Sequence, residues 1–242
     1  MRFGLSVGPV GAFADPRVHV ELARTAEAAG WDGYFLWDGT AHPYRPVLEP
    51  WIGLAVVAQA TSRIVIGPMV AAVPNYSPAQ LEALVGSLTQ LAPDRFVLGA
   101  GLGDAPGDKG PGRVARFETG LRAVRAAHPR VPVWLGARDP LQQTAPVHRA
   151  REWDGLFPMG LDRPLDEVQA IAREISPSGD RPFDLAVGVS WLAQDRTEDI
   201  ARHEAAGVTW LIETLLPWVV PFDMALKRVS EGSRERPVGQ AG

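Results

Sequence analysis

Arg63-Ile-Val-Ile-Gly-Pro-Met-Val70, Pro78-Ala-Gln-Leu-Glu-Ala-Leu-Val85 and Arg95-Phe-Val-Leu-Gly-Ala-Gly-Leu-Gly103 are the pieces that decide the fold. A short apolar run, an amphipathic stretch and a second apolar run ending in glycines make a strand-helix-strand unit of a parallel sheet. The two strand ends, Gly67–Val70 and Gly99–Gly103, carry residues that let backbone approach a ligand closely.

Outward from this unit the pattern repeats. Strand-like runs stand at Phe3–Val7, Gly33–Trp37, Ile64–Val70, Phe96–Ala100, Val131–Leu135, Gly155–Pro158, Leu185–Val189 and Trp210–Thr214. Helix-like stretches fill the gaps at Pro16–Ala29, Trp51–Ala60, Pro78–Gln90, Arg113–Ala127, Thr144–Glu152, Leu165–Glu174, Glu198–Ala206 and Pro221–Ser230. Pro16, Pro50, Pro78 and Pro221 open helices where a missing N–H is harmless. Strands alternating with helices over 242 residues predict an α/β fold, a (β/α)8 TIM barrel, with an open doubly wound sheet as the alternative. No linker divides the chain. We expect one domain over residues 1–231 and a disordered polar tail over 232–242, where proline, glycine and charge replace apolar periodicity.

Composition excludes several classes. A net charge of −4 supplies no basic field for nucleic acid or an anionic membrane. The absence of cysteine removes disulfides, thiolate metal sites and cysteine nucleophiles, and no metal site is expected. No apolar run reaches membrane-spanning length and the N-terminus does not read as a signal peptide, so a cytoplasmic location is expected.

Ligands of a parallel barrel bind at the C-terminal strand ends. There, Gly101 and Gly103 remove side chains where a flat ring could lie, and Gly136-Ala137-Arg138 combines a small-residue turn with a cation. Exposed N–H groups beside Arg138 suit a phosphate, although a plain turn reads equally well. Asp38 and His42, after the second strand, are the acid/base candidates, His42 because imidazole titrates near neutrality. Glu213 interrupts an apolar run, and alternation does not fix whether it faces the mouth or the helices. Trp37 and Trp134 stand nearest the strand ends among the tryptophans.

Taken together, Trp31–Asp38, Pro50-Trp51, Ala60–Arg63, Gly67–Val70, Leu91–Gly103, Pro132–Arg138 and Trp153–Pro158 resemble, in order and spacing, the bacterial luciferase-like monooxygenase family. That resemblance implies a flavin- or deazaflavin-dependent oxidoreductase or monooxygenase on a TIM barrel, using FMN or the 5-deazaflavin coenzyme F420 and acting on a small organic substrate. It places the cofactor phosphate on the loop after strand five, at Gly136, Ala137 and Arg138. It puts a non-prolyl cis peptide against the cofactor's central ring, at Met69–Val70 or Val70–Ala71. It brings Asp38 near the reactive ring, though here Gly39 follows where histidine is usual. It also implies a homodimer through the second and third helices, for which Ile52, Ala55, Val56 and Ala60 offer a small apolar face. The chain departs from the family pattern in a shortened connection between strands four and five, Asp104 to Arg130. A flavin-binding accessory protein without turnover, or a barrel recruited to cofactor-free catalysis, are the alternatives.

Overall fold

The computed structural model describes residues 1–38, 43–103, 111–142, 144–175, 182–190 and 197–232. His42, Trp191 and residues 233–242 lie outside the described residues, as does the 104–110 part of the shortened connection. Nine strands run β1 (Arg2–Val7), β2 (Gly33–Leu36), β3 (Val65–Pro68), β4 (Ala71–Ala72), β5 (Leu98–Gly101), β6 (Val133–Ala137), β7 (Gly155–Pro158), β8 (Asp184–Ser190) and β9 (Trp210–Leu215). All pair in parallel, in the order β3-β2-β1-β9-β8-β7-β6-β5-β4. A bridge between Ile66 and Phe96 closes the ring, with Ile66 N donating to Arg95 O at 2.8 Å and Val97 N to Ile66 O at 2.9 Å. Because β3 and β4 are two pieces of one barrel strand, the fold is the eight-stranded TIM barrel and not an open sheet.

The helices are α1 (Pro16–Ala28), α2 (Pro50–Ala60), α3 (Pro78–Leu91), α4 (Pro111–Ala127), α5 (Thr144–Ala150), α6 (Leu165–Ile175), α7 (Thr197–Ala205) and α8 (Phe222–Ser230). Their starts follow from the chemistry of the flanking residues. Asp15, Glu49 and Ser77 cap the proline-started α1, α2 and α3, and Ser77 with Gln80 forms a capping box. Pro221 stands one residue outside α8, as its cap. Among the described residues no helix is long and apolar enough to cross a membrane.

Alternation sorts the strand residues into two cores. Phe35, Met69, Val97, Trp134, Phe157, Ala186, Trp210 and Ile212 fill the barrel, and Leu36, Leu135, Leu156 and Leu211 face the helices. Trp134 and Trp210 meet at 5.4 Å between ring centroids, each 5.8 Å from Phe35. Trp134 is thus a fully buried part of the barrel filling and not a mouth residue. Glu213 shares the outward register, where its Oε2 accepts from Arg228 Nη2 of α8 at 2.7 Å. That settles the alternation question: Glu213 belongs to the barrel-helix layer.

Arg95 shows how the second helix is tied to the closing strand. Its guanidinium donates to Ala58 O at 2.8 Å and Thr61 O at 2.9 Å, carbonyls left over at the end of α2, and to Ile64 O at 3.1 Å just before β3.

Candidate functional site at the barrel mouth

Between β3 and β4 the strand is broken, and a cis peptide joins Met69 to Val70, at one of the two positions the family resemblance implies. Met69 N still bonds to Leu36 O at 2.7 Å and its side chain drops into the barrel filling. Val70 packs against the same filling, across the strand-end glycines. A Cβ on Gly101 would stand 2.6 Å from a Val70 methyl; one on Gly136 would meet both methyls at 3.1 Å; one on Gly99 would meet Pro68 O at 2.2 Å. The space left by Gly101 is therefore filled by Val70 and is no open ledge. Gly103, with φ +69°, lets the chain turn tightly past Ala72 and Arg113. The glycines act together: they lower the floor of the mouth so that Val70 forms its apolar surface.

Asp38 follows β2 on the edge of that floor. Its Oδ2 accepts from Ala72 N at 2.8 Å and from the Tyr76 hydroxyl at 3.2 Å. The Tyr76 oxygen in turn accepts from Trp51 Nε1 at 3.0 Å. Burial first, then the Asp38 carboxylate, push the Tyr76 phenol above its ordinary value, so Tyr76 stays a neutral donor. Burial also raises Glu49, against the amides of Ile52 and Trp51 that it accepts from, with the charge of Asp38 adding to the rise. Asp38 is thus clasped to the segment after the cis peptide, a geometry with no local signature in the chain. Trp37, one residue earlier, points inward and donates from Nε1 to Ser6 Oγ at 2.7 Å.

Across the mouth, β6 ends in Gly136-Ala137-Arg138. Gly136 faces Val70, Ala137 is buried outward in the barrel-helix core, and Arg138 is exposed on the rim. Of these three residues only Arg138 presents a side chain at the rim. Sequence reading missed Arg163, from the loop after β7. Its Nη2 donates to Arg138 O at 2.8 Å and to Met159 O, and its Nη1 pairs with Glu167 at 3.2 Å. Nothing in the sequence beyond a cation in a βα loop marks it. Arg149 and Arg151 do not join this group. The first pairs with Glu118 of α4 at 3.5 Å and the second donates to Ile175 O of α6 at 2.9 Å.

Among the described residues no group of three or more potential ligands could hold a metal ion. A cavity of about 540 Å³ opens between α6, α7 and the start of β8 at the opposite end of the barrel, lined by Gln169, Ala172, Ile175 and Leu185. It brings together no carboxylate or imidazole, and the mouth remains the better candidate.

The barrel, the broken third strand and the glycine-ended fourth define a class, and comparison with known proteins identifies it. Residues 1–125 match the family described as luciferase-like monooxygenase, and the chain belongs to that family. It is similar to 3,6-diketocamphane 1,6-monooxygenase of Pseudomonas putida, at 24% identity covering 69% of this chain and 46% of that one. It is also similar to the F420-dependent glucose-6-phosphate dehydrogenase of Tsukamurella paurometabola, at 27% identity covering 70% of this chain and 62% of that one. The chain thus spans about half to three-fifths of the length of these relatives. Among solved structures, the oxygenating constituent of 3,6-diketocamphane monooxygenase in complex with FMN superposes with a TM-score of 0.66 at 15% identity, covering 95% of this chain and 84% of that one. At that identity the likeness speaks for the fold.

Proposed function

We propose that the mouth binds a flavin-type cofactor, FMN or the deazaflavin F420, and that the protein is an oxidoreductase acting on a small organic substrate. The observation carrying this reading is the floor made by Val70 over Gly99, Gly101 and Gly136, with Asp38 beside it and Arg138 on the facing rim. An apolar, side-chain-poor surface suits a planar ring, and the rim cation with the loop backbone suits a phosphate. Relatives named for F420 dependence and crystallised with FMN support the same reading. Once bound, the cofactor supplies the redox step.

The chain's own residues do the rest. Val70 and Met69 support the ring face; Ala72, held by Asp38, fixes the segment that carries them; Arg138 and the Gly136-Ala137 backbone orient the phosphate. Asp38 and His42 are the proton-handling pair, with His42 assigned on sequence alone. The short connection between barrel strands four and five favours the deazaflavin. It provides little chain to exclude water and oxygen, and a deazaflavin tolerates an open mouth better than a reduced flavin does. Ultraviolet-visible titration of the purified protein with each cofactor tests the reading. Saturable binding of F420 is expected, weakened about tenfold or more by Arg138→Ala, the loss of a charge-assisted hydrogen bond. Binding of neither cofactor refutes it.

We also propose a homodimer through α2 and α3. Ile52 on the outer face of α2 is 58% exposed, and Ala55 and Val56 beside it are only half-buried by the chain itself. Light scattering should report a dimer that Ile52→Lys dissociates; a wild-type monomer at micromolar concentration excludes it.

A further inference from the structure

The two sides of the mouth differ in chemistry. Arg138 and Arg163 stand after β6 and β7, whereas the loops after β9 and β2 carry rings. Tyr44 and Trp218 stack with centroids 5.0 Å apart and planes only 6° from parallel, and Trp218 meets Trp37 edge-on at 5.8 Å. These rings are held in place from several directions. Trp37 is anchored on Ser6, and a Cβ on Gly8 would stand 2.9 Å from its ring, so that glycine makes room for the indole. The Tyr44 loop is tied to the loop after β1 by Gly11 N donating to Pro46 O and Leu48 N to Pro9 O, both at 2.8 Å. The Trp218 turn is closed by Val219 N donating to Leu216 O at 2.9 Å, with Val220 buried beneath it.

Despite that order, the rings face solvent: Tyr44 is 48% exposed and Trp218 41%. Exposed large apolar side chains are concentrated on this end of the molecule. Of the seven among the described residues, Tyr44, Leu141, Leu161, Trp218 and Val219 stand in loops that follow strand C-termini. Ordered, partly exposed rings beside a candidate active site are the arrangement expected where an apolar ligand binds.

We propose that Trp37, Tyr44 and Trp218 form the substrate wall, and that the substrate is a planar, uncharged, fused-ring aromatic compound. This inference rests on the reading of the mouth as the catalytic site. Parallel and edge-on ring arrangements extend naturally to a further flat ring, and rigid aromatic side chains lose little entropy on binding. A phosphorylated sugar would need a cationic subsite there, and among the described residues of these loops Arg45 is the only cation. With the cofactor phosphate directed to the arginine side, the aromatic side is left to the substrate.

Isothermal titration of the full-length protein with 2-naphthol, decanal and glucose 6-phosphate tests the proposal. We expect 2-naphthol to bind most tightly. The double variant Y44A/W218A should weaken it about tenfold or more, about 1.4 kcal/mol or more, without lowering the melting temperature, while Met224→Ala on α8 leaves it unchanged. Equal or tighter binding of decanal or glucose 6-phosphate overturns the proposal, as does naphthol binding that ignores Y44A/W218A. Sedimentation in which Y44A/W218A abolishes self-association also overturns it, making the wall an interface between copies. Cofactor titration of the same wild-type preparation separates the two readings. A protein that binds F420 or FMN but not naphthol keeps its proposed function and loses this wall.

Discussion

The tripeptide Trp-Asp-Gly occurs at residues 31–33, 37–39 and 153–155, and its uses at the two ends of the barrel differ. At the N-terminal ends of β2 and β7 the first and third copies do the same job. Asp32 accepts from Phe3 N of β1 at 2.8 Å, and Asp154 from Val133 N of β6 at 2.9 Å, each holding the first residues of a neighbouring strand. An arginine lies over each indole, Arg228 over Trp31 at 5.4 Å and Arg125 over Trp153 at 5.0 Å. The glycines, Gly33 and Gly155, admit the barrel's aromatic filling. Three barrel strands lie between the two copies on either side, so they stand half-way round the ring from each other. At the C-terminal end of β2, the middle copy turns the same residue types toward the mouth: Trp37 to Ser6 and Asp38 to Ala72 and Tyr76. One sequence pattern stabilises the closed end and shapes the open one, and strand direction decides which.

The most damaging way to break this comparison is at the closed end. A Cβ on Gly155 would stand 2.4 Å from the Trp134 ring and 2.6 Å from Asp184 O, and a backbone oxygen between paired strands has nowhere to go. Gly155→Ala should cost about 3 kcal/mol or more, at the upper end for overpacking. Denaturant unfolding followed by circular dichroism measures it. A loss below about 1 kcal/mol would mean that the barrel filling is loose.

Next in size is a pH effect on β2 between its two copies of the tripeptide. Tyr34 donates its hydroxyl to His19 Nδ1 at 2.8 Å, and His19 Nε2 donates to Phe13 O at 2.6 Å. Burial, against the Phe13 carbonyl and the charge of Asp15, lowers the imidazole to about 4. The folded state therefore binds fewer protons than the unfolded one between the free value and this one. Its stability is complete above about pH 6.5 and falls as pH drops towards 4, by about 3 kcal/mol in all. The urea midpoint should decline over that window in the wild type and less steeply in His19→Gln. Equal slopes would refute the assignment.

A third test sets the ends directly against each other. Asp154→Ala leaves the Val133 amide and Arg125 without their carboxylate, and should cost about 1.5–3 kcal/mol of stability with cofactor affinity unchanged. Asp38→Asn keeps the side chain's shape, and should reduce turnover more than it reduces stability. If Asp38→Asn proves the more destabilising of the two, the middle copy is structural like the others.

Much of this was legible in the chain. Every strand-like run became a strand and every helical stretch a helix, because apolar period and proline placement act locally. The break at Met69–Val70 was reachable only through family resemblance, since no local propensity encodes it. Other features needed three dimensions. Trp134 stands near a strand end in sequence, yet inward register buries it beneath Gly136. Glu213 looked ambiguous until α8 supplied Arg228. Gly101 and Gly103 read as open space in the chain, but Val70, Ala72 and Arg113 occupy the space that they leave. The Tyr44–Trp218 stack joins residues at opposite ends of the chain, and no spacing rule reaches across it.

The smallest effect bears most directly on what Asp38 does. Tyr76→Phe removes one donor to its carboxylate and leaves Trp51 Nε1 without its acceptor, while Ala72 N stays in place. The expected cost is about 1 kcal/mol, a typical net hydrogen bond, visible as a melting-temperature drop of a few degrees. The kinetic consequence separates two roles. If Asp38 only clasps the segment after the cis peptide, Ala72 N suffices to hold it, and kcat and KM should stay near wild type. If Asp38 handles the proton, freeing its Oδ2 from the phenol changes the orientation of the group that acts in the transition state. Then kcat should fall several-fold with cofactor affinity intact, in the same direction as Asp38→Asn and not additively with it. An unchanged kcat in Tyr76→Phe beside a large loss in Asp38→Asn would show that the phenol is scaffolding and the carboxylate acts alone.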